Sequence, residues 1–123
     1  GHLVYANAGH NPPCRRREDA ASELKARGMP LGLMPGMIYE EKEAVLASGE
    51  GVLFYTDGLI EAHNPQGEMF GTPRLRDLLG EGLESGRGLS AALMEELGRF
   101  TGEEWEQEDD ITLLTLERSA TRR

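Results

Sequence analysis

Gly51-Val52-Leu53-Phe54-Tyr55-Thr56-Asp57-Gly58 is the stretch on which the fold turns. Its five central residues are β-branched, aromatic or leucine and carry almost no polar group, so it reads as a strand covered on both faces. Asp57-Gly58 ends it. Just upstream, Ser48-Gly49-Glu50-Gly51 forms a short turn after Ile38 to Leu46, which reads as another strand. Two strands joined so tightly predict an antiparallel hairpin. Far downstream, Ile111-Thr112-Leu113-Leu114-Thr115-Leu116 is a second strand without strict polar alternation, again as expected when both sheet faces are covered.

Around these strands the remaining elements segregate. Leu3 to Ala8 reads as a strand, stopped by Gly9-His10-Asn11-Pro12-Pro13, where glycine supplies positive φ and two prolines remove donors. Cys14 to Glu18 is expected to be an edge strand, and the segment up to Arg27 shows no period. Gly28 to Gly36 excludes regular structure through its Gly and Pro residues, while its Leu and Met residues call for an ordered, packed loop. Asn64-Pro65-Gln66-Gly67 is a turn. Thr72-Pro73 carries the cap and first-turn signature of a helix with Leu75, Leu78 and Leu79 on one face. Leu89, Leu93, Leu97 and Phe100 line the apolar stripe of a second helix. Strands and helices that do not alternate as βαβ units point to an α+β fold.

The chain has 123 residues, enough for one domain with a modest core. Residues 1–117 form that domain, and 118–123 are expected to fray. With 13 basic against 22 acidic residues the net charge is -9, which disfavours nucleic acid and anionic lipid as partners. No apolar run approaches the ~20 residues of a membrane span, so neither a span nor a leader is expected. The lone Cys14 cannot form an internal disulfide, so a reducing, cytoplasmic setting is expected.

Two carboxylate sites stand out by position. Asp57 terminates one buried strand and Asp109-Asp110 immediately precedes another. Antiparallel pairing would bring them to one rim of the sheet; parallel pairing would put them at opposite ends. Carboxylates converging at a rim repel unless a cation neutralises them, and oxygen-only ligands suit Mg²⁺ or Mn²⁺. Gly58 would let the backbone turn and leave room beside an ion. The plainer alternative is a turn at Asp57-Gly58 and, at Asp109-Asp110, the end of the acidic run Glu103 to Glu108. His10 is expected to serve the turn. His2, His10, Cys14 and His63 match no zinc spacing, Arg15 to Arg17 is a solvated basic face or a steering patch, and Cys14 an incidental thiol.

Four segments, in order, decide between these alternatives: Tyr5-Ala6-Asn7-Ala8-Gly9-His10-Asn11-Pro12-Pro13, Pro30-Leu31-Gly32-Leu33, Phe54-Tyr55-Thr56-Asp57-Gly58-Leu59-Ile60-Glu61-Ala62, and Asp109-Asp110-Ile111-Thr112-Leu113-Leu114. Together they resemble the bacterial PPM-type serine/threonine phosphatases of the stage II sporulation protein E kind. The resemblance runs from about Leu3 to Glu117 and is weak over Arg15 to Arg27 and Glu81 to Gly88. It implies an αββα sandwich of two antiparallel sheets flanked by helices. It also implies hydrolysis of phosphoserine or phosphothreonine by a water held between two Mn²⁺ or Mg²⁺ ions, which acidify the water and neutralise phosphoryl charge. Carried over by motif, Asp57 and Asp109 are the metal aspartates, Asp110 stands behind Asp109, and Gly58 adjoins the ion.

The family's upstream half adds an aspartate and a Gly-His-Gly motif that nothing here matches, so the chain resembles the C-terminal half of such a domain, incomplete in fold and inactive alone. By resemblance, the substrate is a phosphorylated regulatory protein, such as an anti-sigma factor antagonist, in partner-switching control of a sigma factor. The rival expectation is a non-catalytic interaction module that keeps the fold. Apolar strands short of partners would also favour a homodimer.

Overall fold

The computed structural model describes residues 1–17, 20–81, 88–103, 105, 107 and 109–119. Two antiparallel sheets form the frame. The smaller pairs β1 (His2–Tyr5) with β4 (Lys42–Val45), in the register His2 to Val45 and Tyr5 to Lys42. The larger has the order β3-β2-β5-β6, with β2 at Cys14–Arg17, β3 at Ala20–Glu23, β5 at Gly51–Tyr55 and β6 at Leu113–Glu117. A short helix α1 (Asp57–Ile60) follows β5, then α2 (Gly71–Gly80) and α3 (Leu89–Thr101). The fold is α+β with antiparallel sheets, as the segregation of strands and helices predicts.

The apolar character of β5 has a direct cause. Side chains alternate across a strand, and here both alternations are buried. Leu53 and Tyr55 join a core built with Cys14, Leu59, Phe70, Leu75, Leu79, Leu89, Leu93 and Leu97 on the helical side. Val52 belongs to a second cluster with Leu24 and Leu46, against which Leu3, Tyr5, Ala44 and Phe54 pack. The helical layer is tied together by aromatic contacts. Phe70 and Phe100 meet edge to face at 5.3 Å, and the Arg74 guanidinium lies 4.3 Å from the Phe100 ring centre.

Several expectations are corrected. The β4–β5 hairpin does not form: β2 and β6 occupy both edges of β5, so β4 pairs with β1 and the Ser48–Gly51 turn carries the chain from one sheet to the other. Glu50 pins that corner by accepting from the Ala47 N–H and from Arg15, 2.9 Å away. β2 is interior rather than an edge, paired to β3 and β5. The featureless segment before Arg27 contains β3, whose Ala-Ala-Ser-Glu sequence gives no strand signal. Arg15 is no solvated cation, since its side chain and that of Glu50 are each only 12% exposed, and Arg17 reaches the same carboxylate.

The 28–36 loop is not packed inward. Tyr39 Oη donates to the Met29 carbonyl across its base, but Leu31, Leu33 and Met34 are exposed. The strand expected from Ile38 begins only at Lys42. α2 starts at Gly71 with Phe70 before it, so Thr72 sits inside the first turn, and no side chain caps the helix. β6 is open on one face: Leu113 meets the helical core, whereas Leu114 is 62% exposed. Glu104, Glu106 and Glu108 of the acidic run, and residues 120–123 of the expected frayed tail, lie outside the described residues.

Candidate metal centre

Antiparallel pairing settles where the carboxylates go. β5 and β6 run in opposite directions with Tyr55 opposite Leu113, so the residues after β5 and before β6 share one rim. Thr56 extends the ladder beyond the strands: its N–H donates to the Thr112 carbonyl at 3.2 Å, and the Thr112 N–H donates to Thr56 Oγ1 at 3.0 Å. Asp57 then opens α1, and Asp109 and Asp110 precede β6. A cavity of about 370 Å³ at this rim is lined by Gly9, His10, Asn11, Thr56, Asp57, Asp109, Asp110 and Thr112.

Gly58 is required for this convergence. It is buried, and a Cβ placed on it would stand 2.2 Å from the Asp110 carbonyl oxygen, well inside van der Waals contact. Only the missing side chain lets the 109–111 segment close against the start of α1. Asp109 is ordered locally: its Oδ1 accepts from the Asp110 N–H at 2.8 Å, and its carbonyl accepts from Gln107 Nε2 at 2.9 Å. All three aspartates are exposed to solvent, and among the described residues none is ion-paired.

Sequence reasoning puts Asp57, Gly58, Asp109 and Asp110 at one rim only if their strands are antiparallel; they are, and all four lie there. The same rim also gathers two residues of the turn after β1. His10 lines the same cavity, with Nδ1 3.1 Å from the Asn11 carbonyl, and Asn11 Nδ2 donates to Asp57 Oδ1 at 2.6 Å. The signal was present in the Gly9–Pro13 motif, but its partner is visible only once β2 is known to pair with β5. Cys14, just beyond, is fully buried and its thiol is pushed up to about 11, chiefly by desolvation.

Beside the His10 ring, the donors of the rim are the carboxylate oxygens of Asp57, Asp109 and Asp110, which fit Mg²⁺ or Mn²⁺ in kind. They do not complete a coordination shell, because among the described residues no three His, Cys, Asp or Glu side chains come together as an ion would need.

Fold and rim define an α+β domain of two antiparallel sheets with helices on one side and a carboxylate cleft at the end of the central strand. Comparison with known proteins gives the family. The Stage II sporulation protein E (SpoIIE) profile matches residues 1–119, and the chain belongs to that family. It is similar to protein IcfG of Synechocystis, with 32% identity over 97% of this chain and 19% of IcfG. It is also similar to phosphoserine phosphatase RsbU of Bacillus subtilis, with 26% identity over 94% of this chain and 35% of RsbU. The crystal structure of the RsbU and RsbW domains of Rv1364c from Mycobacterium tuberculosis superposes with a TM-score of 0.77 at 33% identity, covering 100% of this chain and 34% of that one. The chain therefore spans well under half of each of these proteins. Among the described residues no helix is long and apolar enough to cross a membrane.

Proposed function

We propose that this chain supplies one side of the metal centre of a protein serine/threonine phosphatase. The observation that carries the reading is the convergence of Asp57, Asp109 and Asp110 on one cavity through the β5–β6 pairing. In this reading Asp57 and Asp109 hold Mn²⁺ or Mg²⁺, Asp110 orders the loop behind Asp109, and Gly58 keeps the two segments in contact. A divalent cation bound there supplies Lewis acidity, acidifying water and neutralising phosphoryl charge. Residues 1–117 act as the C-terminal portion of the catalytic domain, and the remaining ligands come from outside the described residues. Membership of the family supports this reading, as does similarity to a protein named as a phosphoserine phosphatase.

The substrate class is a phosphoserine or phosphothreonine on a small regulatory protein of a cytoplasmic partner-switching pathway. Similarity to a protein in which RsbU and RsbW domains occur together supports that choice. The test is Mn²⁺-dependent release of phosphate from a phosphoserine peptide by the full-length protein that carries this chain. Activity that chelation abolishes, and that falls at least about 100-fold in Asp57→Asn, is the expected result. Tight binding of the phosphoprotein with no hydrolysis at any Mn²⁺ concentration would instead identify a non-catalytic binding module.

A further inference from the structure

A carboxylate at the end of a strand is free to rotate about two torsions, so a cation site built on it needs something to hold it. On Asp57 that role falls to a residue 46 positions earlier in the chain. Asn11 Nδ2 donates to Asp57 Oδ1 at 2.6 Å, and among the described residues no hydrogen bond engages Oδ2. A hydrogen bond from a neutral amide to a charged carboxylate is short and strong. It fixes one oxygen without cancelling the charge. An arginine or lysine in the same place would fix the carboxylate equally well, but would compete with a cation for it.

Asn11 is itself well placed to act as a fixed point. The β2–β5 register sets Cys14 opposite Leu53, and continuing it beyond the strands brings Asn11 alongside Thr56, next to Asp57. Pro12 restricts the Asn11 backbone to extended conformations, and the buried Pro13 and Cys14 anchor the segment. On its other side the Asn7 side-chain oxygen accepts from the His10 N–H at 2.7 Å, and His10 Nδ1 lies 3.1 Å from the Asn11 carbonyl. Gly9, at φ +82°, lies so close to Pro30 that a Cβ would stand 2.7 Å from its ring. The turn after β1 is thereby wedged between the 28–36 loop and the cavity.

We infer that Asn11 is a positioning residue of the metal centre, holding Asp57 through Oδ1 so that its remaining oxygen is free for a divalent cation. The inference rests on the metal reading proposed above. Groups that orient metal ligands typically contribute about 10–100-fold in metal affinity.

The experiment is a titration of the full-length protein that carries this chain with Mn²⁺, following the free-ion electron paramagnetic resonance signal, in the original sequence and in Asp57→Asn, Asn11→Ala and Asn11→Ser. It is run at a temperature where circular dichroism shows each variant folded. Asn11→Ser serves if Asn11→Ala does not fold, since its short hydroxyl does not span to Asp57. The expected result is a dissociation constant raised about 10-fold or more in the Asn11 variants, approaching that of Asp57→Asn. A purely structural tether would change unfolding but leave Mn²⁺ affinity of the folded protein untouched. Weakened binding in Asp57→Asn with unchanged binding in the folded Asn11 variant overturns the role of Asn11 alone. Unchanged binding in Asp57→Asn overturns the metal reading and this inference together.

Discussion

Gly58 and Asp110 touch backbone to backbone: a Cβ on Gly58 would lie 2.2 Å from the Asp110 carbonyl oxygen and 3.1 Å from Ile111 Cγ1. This contact joins the end of the central strand to the start of β6. It explains why glycine follows Asp57 through packing rather than through backbone conformation, since Gly58 has no positive φ.

Substituting Gly58→Ala therefore forces the 109–111 segment away. The expected cost is about 1–3 kcal/mol, the range for overpacking a tight site, read as a lower urea midpoint at unchanged slope. Because the same shift moves Asp109 and Asp110, Mn²⁺ affinity should fall as well. An alanine variant as stable as the parent would show that the segment yields without strain.

The Glu50 corner gives a pH dependence. Its hydrogen bond from Arg15, together with that from the Ala47 N–H, holds its carboxyl below the ordinary value of 4.5. A depressed folded-state pKa means that this stabilisation is fully present above about pH 4.5 and is lost as pH falls through the lower folded value. Acid titration of stability should be shallower in Glu50→Gln over that window than in the parent. Glu50→Gln should also be less stable at neutral pH, because it leaves the shielded Arg15 guanidinium without its counter-charge.

Cys14 gives the opposite sign. Burial raises its thiol from 9.0 to about 11, and Tyr55 beside it rises from 10.0 to about 12. Both groups keep their protons longer when folded, so their stabilising contribution is complete below about pH 9 and is lost as pH climbs through the folded values. Thiol reagents at about pH 8 should leave Cys14 unlabelled until denaturant unfolds the chain. Labelling at the rate of a free thiol in the native state would contradict its burial.

The open face of β6 predicts association. Leu114 and Leu116 are exposed on the side of the sheet where Val52 and Phe54 are covered, and Val4 and Val45 are exposed on the smaller sheet. Apolar strand surface of this kind tends to be covered by another chain. Sedimentation equilibrium should show concentration-dependent self-association of these 123 residues, relieved in Leu114→Lys. A monomer at all concentrations would mean that this face is tolerated in water.

Local chemistry determined a good part of this protein from its sequence alone. Apolar composition marked β5 as covered on both faces, the 3.6-residue stripe of Leu89, Leu93 and Leu97 marked α3, and Gly9 through Pro13 marked the turn that follows β1, because each signal resides within a few consecutive residues. The strand β1 itself already ends at Tyr5 rather than at Ala8. Placing Asp57 just after one strand and Asp109-Asp110 just before another reduced the candidate site to a single question of strand direction. Tertiary structure decided the rest. Which strand lies beside which is a matter of edges: with both sides of β5 taken, β4 had to pair with β1, and a run of arginines became an interior strand because Glu50 was there to meet Arg15. The link from Asn11 to Asp57 belongs to the same class, since a hydrogen bond across 46 residues leaves no mark on either local stretch and exists only because β2 and β5 are neighbours.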